Sequence, residues 1–163
     1  MRIIKVSLLC LFQMLNMAVH SEAKGWRGIT PLASTRKDVE RLLGPSKEPD
    51  NYAELYNLGS EAVFIEYSSG PCNKNRDGGW NVPANTVIAI TISPAVKARL
   101  HDLEVDLSKY TKTEDPELPG NFFYYYDIDG ISISSSGDQV ESIKYGPAAK
   151  DKHLLCRNLK TTH

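Results

Sequence analysis

The residues that could do chemistry in this chain of 163 residues are few and scattered. Imidazoles stand at His20, His101, His153 and His163, and thiols at Cys10, Cys72 and Cys156. A hydrolytic triad needs a nucleophile, a base within hydrogen-bond reach and a group that orients the base. His101-Asp102 and Asp151-x-His153 set acid beside imidazole along the chain, but neighbours on one strand or turn rarely face each other. No G-x-S-x-G elbow presents a serine. Asp127-x-Asp129-Gly130 opens like a calcium loop, yet that loop wants glycine sixth and an acid twelfth. Here glycine is fourth, and Ile131 and Ile133 follow at hairpin spacing. Glycosidase chemistry needs two facing carboxylates, and spacing singles out no pair among the 20 acids. No catalytic residue, cofactor-binding residue or metal ligand is therefore assigned.

The cysteines are read together with the N-terminus. Arg2 and Lys5 begin a short positive start, residues 6–19 are mostly apolar, and Ser21-Glu22-Ala23 offers small residues three before and one before a cut. That is the three-part pattern of a cleavable secretory signal. About 14 apolar residues at 1.5 Å each fall short of a bilayer core of roughly 30 Å, so the segment is not expected to span a membrane. Cys10 lies inside the apolar run with Leu8-Leu9 before it, unlike a lipid-anchor cysteine. The expected organisation is a signal over 1–23 and one domain over 24–163, exported to the periplasm or the medium. Removal of Cys10 with the leader leaves Cys72 and Cys156. Two cysteines in an oxidising compartment usually pair, and closing a loop of about 85 residues would stabilise the fold by about 3–5 kcal/mol in the chain-entropy picture. Without a C-x-x-C or a neighbouring histidine pair they are poorly spaced as metal ligands.

Charge narrows the partners. Without its leader the chain carries 17 Lys+Arg against 19 Asp+Glu, and no long run of either sign. Nucleic-acid binding depends on a basic face that displaces counterions, so no nucleic-acid partner is expected.

These residues must be positioned by a small set of elements. Residues 35–43 read as a helix: Ser34 or Thr35 can cap it, Asp38 completes a capping box, and Val39, Leu42 and Leu43 form one apolar stripe. Gly44 can end it in the left-handed region, and Pro45 blocks continuation. Strands are expected at 52–57, 62–67, 86–92, 122–128, 131–135 and 139–145, with Val63, Ile65 and Tyr67 on one face of the second. Residues 68–83 and 111–120 read as loops. Val96, Leu100, Leu103 and Leu107 favour a short helical turn followed by an extended piece. Asp129-Gly130 signals a two-residue hairpin turn with positive φ at both positions. The order of a tyrosine, a glycine turn and two strands ending in proline occurs over 56–94 and again over 126–147. It fits an internal duplication, and equally any antiparallel meander. The fold class is α+β: an antiparallel sheet with a short capped N-terminal helix packed on one face, possible as a tandem duplication.

Aromatic residues are the candidates for contact. In Phe122-Phe123-Tyr124-Tyr125-Tyr126 one set belongs to the core, and Phe123 and Tyr125 form the other, suited to protein or glycan contacts if left uncovered. Trp26 and Trp80 sit in glycine-bearing loops, either as lids on the core or as recognition residues. The candidate contact surface is Trp26, Trp80, Phe123 and Tyr125.

Two resemblances add to this reading. Residues 34–45, Ser-Thr-Arg-Lys-Asp-Val-Glu-Arg-Leu-Leu-Gly-Pro, before strands and a Tyr-rich hairpin, resemble the opening of the SmpA/OmlA (BamE) and β-lactamase inhibitor protein superfamily. That likeness implies a binding module without catalysis; this chain departs from it in having no lipid-anchor cysteine and no evident capped helix in its second half. Gly25-Trp26-Arg27-Gly28-Ile29, the 34–44 helix, Gly70-Pro71-Cys72, Trp80-Asn81-Val82-Pro83 and Leu154-Leu155-Cys156 are similar to a group of exported bacterial proteins without an established activity. The expectation is a non-enzymatic module contacting an envelope or extracellular protein. The alternatives are a small secreted hydrolase or glycan-active enzyme, and a structural envelope protein.

Overall fold

The computed structural model describes residues 24–73 and 79–156. The expected leader, Cys10 and His163 lie outside the described residues.

Thr35 starts α1 (Arg36–Leu43), the one α-helix among the described residues, and does so with both halves of a capping box. Its extended backbone (φ −110°, ψ 167°) turns its hydroxyl toward the Asp38 amide at 3.4 Å, and the Asp38 carboxylate accepts the Thr35 amide at 2.9 Å. Two of the donors that a helix start leaves without partners are thereby met. Gly44 ends the helix at φ 85°, ψ 175°, a region that only glycine enters without strain.

Seven strands form one antiparallel sheet: β1 (Ala53–Asn57), β2 (Glu61–Tyr67), β3 (Val87–Pro94), β4 (Thr111–Glu114), β5 (Asn121–Tyr126), β6 (Ile131–Ser136) and β7 (Gln139–Tyr145). Their order is β1-β2-β3-β7-β6-β5-β4. Two meanders thus meet at their last strands, β3 and β7. Cross-strand partners share a face, and the register carries one apolar row across the sheet. Val63 and Ile65 lie opposite Ile92 and Ile90; these face Ile143 and Tyr145; those face Ile133 and Ile131, and Ile133 faces Tyr124. Two covers lie on that row. Val39 and Leu43 of α1, with Ile29, pack on the β1–β3 half. Leu100, Leu103, Val105 and Leu107 of the crossover from β3 to β4 pack on the β5–β7 half. Tyr145 touches both clusters and joins them. The opposite face, with Phe64, Tyr125 and Lys144, is partly exposed.

The α+β class and the antiparallel meander stand as read from sequence, while three local expectations are corrected. The 111–120 stretch is not wholly loop, because Thr111–Glu114 pairs with β5 as an edge strand. The Asp129-Gly130 hairpin is not a two-residue turn. Tyr126 pairs with Ile131, leaving a four-residue connection in which Gly130 has positive φ (70°) and Asp129 does not. The 95–110 crossover holds two single 3-10 turns, Leu100–Asp102 and Leu107–Lys109. A further 3-10 helix, Ala149–Leu154, follows β7. Among the described residues no helix is long and apolar enough to cross a membrane.

Candidate functional site

The chain after β7 is folded back against the long loop between β2 and β3. Asn81 N donates to Leu154 O and Cys156 N to Gly79 O, each at 2.8 Å, and Trp80 bridges Leu155 as in a sheet. The Cys72–Cys156 disulfide (S–S 2.05 Å, Cα–Cα 5.5 Å) fastens the same two segments across 84 positions of sequence. Together they raise a wall beside the open face of β5, β6 and β7.

Between wall and sheet lies a groove of about 340 Å³. Trp80 and Leu155 line it from the wall, Tyr125, Ser132 and Lys144 from the sheet, and Pro147, Ala148 and Lys152 from the C-terminal segment. The floor is fixed by backbone contact: Gly146 N donates to Gly130 O at 2.7 Å. Tyr125 is 43% exposed. Its ring lies 6.1 Å from that of Phe123 on the same strand. Of the four candidate aromatics, Trp80 and Tyr125 therefore share one groove and Phe123 adjoins it. Trp26 is elsewhere, half-buried against the core of the β1–β3 half with the Arg27 guanidinium 4.9 Å from its ring centroid.

Lys144 donates to Glu66 at 3.0 Å across the open face, and Tyr126, Asp127 and Lys152 complete the titratable groups of the lining. Aromatic faces, aliphatic walls and two ammonium groups suit apolar side chains flanked by an acid. Neither His101 nor His153 lines the groove. His101 is exposed between Asp102 (3.3 Å) and Asp138 (3.4 Å). His153 Nδ1 meets Lys150 O at 2.8 Å within its own turn. Asp129, of the calcium-like spacing, pairs with Lys24 at 3.0 Å. No group of three or more His, Cys, Asp or Glu placed to hold an ion occurs among the described residues.

A second polar constellation escaped the sequence reading. Glu54 is buried on the core face of β1. It accepts the hydroxyls of Tyr56 (2.8 Å) and Tyr67 (2.6 Å) and forms an ion pair with Arg36 at the start of α1. Arg36 is itself held by Asp50 O (2.8 Å), Asn51 O (3.0 Å) and Asn85 Oδ1 (3.2 Å), with its guanidinium 4.1 Å from the Tyr67 ring centroid. Burial first, and then the hydrogen bond to Glu54, push both phenols well above the ordinary tyrosine range. With both carboxylate oxygens engaged by protein donors, the cluster ties α1 to β1 and β2. The signal that could have found it is parity: Glu54 is two residues from Tyr56, on the same side of the strand.

Fold and groove together define an α+β domain made of one antiparallel sheet, covered on one face and grooved on the other. Comparison with protein families, curated proteins and solved structures finds no match.

Proposed function

We propose that the chain is an exported, non-enzymatic domain that acts through protein contact in the cell envelope or outside the cell, with the Trp80–Tyr125 groove as its contact surface. The observation that carries this reading is the groove itself: an exposed tyrosine, a tryptophan and aliphatic residues set around a fixed backbone floor. Such lining favours apolar side chains of a partner segment, with Lys152 beside them to attract an acidic residue. Export is supported by the three-part leader pattern and by the disulfide, a bond that persists in oxidising compartments. The likeness of residues 34–45 to the SmpA/OmlA (BamE) and β-lactamase inhibitor protein group implies the same class, a binding module without catalysis.

The test is affinity capture of envelope and culture-medium proteins by the domain beginning at Lys24, with Trp80→Ala/Tyr125→Ala in parallel and a glycan array beside them. A partner retained by the parent domain and lost by the folded double variant supports the reading. Equal capture by both, or binding confined to the glycans, overturns it.

A further inference from the structure

We infer that β4 is a self-pairing edge and that two copies of this chain join through it into one continuous sheet. The backbone parity comes first. Asp115 N donates to Asn121 O at 2.9 Å, continuing the β4–β5 register in which Thr113 faces Phe123 and Thr111 faces Tyr125. In an antiparallel pair, residues alternate between bonding the neighbour and pointing away. Thr111 and Thr113 therefore bond β5, while the N–H and C=O groups of Lys112 and Glu114 point to the open edge. Every residue of β4 is exposed, and β4 ends the sheet.

A second β4 related by a two-fold axis can use those groups in three registers. Lys112 opposite Lys112, or Glu114 opposite Glu114, sets like charges face to face, which is destabilising. The remaining register puts Lys112 of one copy opposite Glu114 of the other, twice, with the two Thr113 residues meeting on the axis. It makes four backbone hydrogen bonds and two opposite-charge pairs. A lysine on an edge strand ordinarily discourages pairing; with a glutamate two residues on, the same lysine selects one register and one partner. The match is self-complementary, as a two-fold interface requires. Pairing would also bring the Phe123–Tyr125 strips of the two copies onto one open face.

Sedimentation velocity of the domain, taken up to about 1 mM, reads the association. A reversible monomer–dimer equilibrium is expected. Lys112→Glu sets Glu opposite Glu, and Glu114→Lys sets Lys opposite Lys, and each should weaken dimerisation by about tenfold or more. An equimolar mixture of the two variants should restore it, because each charged pair is again complementary. Lys112 also lies 3.7 Å from the Phe122 ring centroid, so folding of each variant is checked by circular dichroism. Loss in the single variants with recovery in the mixture supports the inference whatever their individual stabilities. A monomer throughout the concentration range, or a dimer indifferent to both substitutions, overturns it. A monomer that instead accepts an unrelated strand at β4 overturns it equally.

Discussion

Glu54 is 2% exposed, yet it carries a charge, and it is tolerated because Arg36, Tyr56 and Tyr67 all turn toward it. Removing one member of a buried ion pair typically costs about 3–5 kcal/mol, since the surviving charge stays in the interior without its partner. Glu54→Ala should lose stability in that range by urea unfolding. Tyr67→Phe deletes one neutral donor and should lose only about 1–2 kcal/mol. The double variant should lose less than the sum, because both changes act on the same carboxylate. A loss below about 1 kcal/mol for Glu54→Ala would mean that water reaches the cluster and that Arg36 is already solvated.

The hairpin between β5 and β6 and the strand β7 are locked together where Gly130 passes Gly146. A Cβ on Gly130 would stand 2.2 Å from Gly146 O, and the residue also has a φ of 70°. Gly137, in the next hairpin, has a φ of 58° but open space around its would-be Cβ. Gly137→Ala should therefore cost only the left-handed strain of about 1 kcal/mol. Gly130→Ala adds a backbone collision and should cost about 3 kcal/mol or more. Thermal unfolding of the pair separates strain from clash; equal losses would show that β7 moves aside freely. The same elements explain which parts were legible in sequence. The capping box of Thr35 and Asp38, Gly44, and the alternation of Val63, Ile65 and Tyr67 are decided by near neighbours, so local pattern reveals them. Thr111–Glu114 is a strand because β5 offers it hydrogen bonds, and its polar Thr-Lys-Thr-Glu sequence holds no apolar alternation to betray that. Glu54 looks like one more surface acid until its partners on α1 and β2 are in place. Trp80 and Tyr125 could be named as aromatics but not as neighbours, since the fold-back around Cys72 and Cys156 is what brings them together.

At the scale of the molecule, the tyrosines bind the two halves of the core to a single pH response. Burial, before any other cause, raises the phenols of Tyr56, Tyr67, Tyr110 and Tyr145 above the ordinary value near 10. Glu54 reinforces the shift for the first two, and Asp129 for Tyr110. These groups stay protonated in the native state while the unfolded chain begins to release its protons near pH 10. Their stabilisation is thus complete below the unfolded pKa and declines as pH climbs from there toward the native values. Tyr56 and Tyr67, 5% and 2% exposed, should alone impose a slope of about 2.7 kcal/mol per pH unit at the limit. The half-buried Tyr110 and Tyr145 add less, because solvent reaches them. Tyr56 and Tyr67 lie in the α1-covered half, Tyr110 packs against the other, and Tyr145 touches both, so alkaline unfolding should be one cooperative event. Phenolate absorbance from these four should then rise only as circular dichroism reports loss of the sheet. Tyr56→Phe/Tyr67→Phe should flatten that rise. If Tyr56 and Tyr67 instead ionised near pH 10 with the sheet intact, the interior would be open to hydroxide, and neither the core face nor the Glu54 cluster could be as closed as their burial requires.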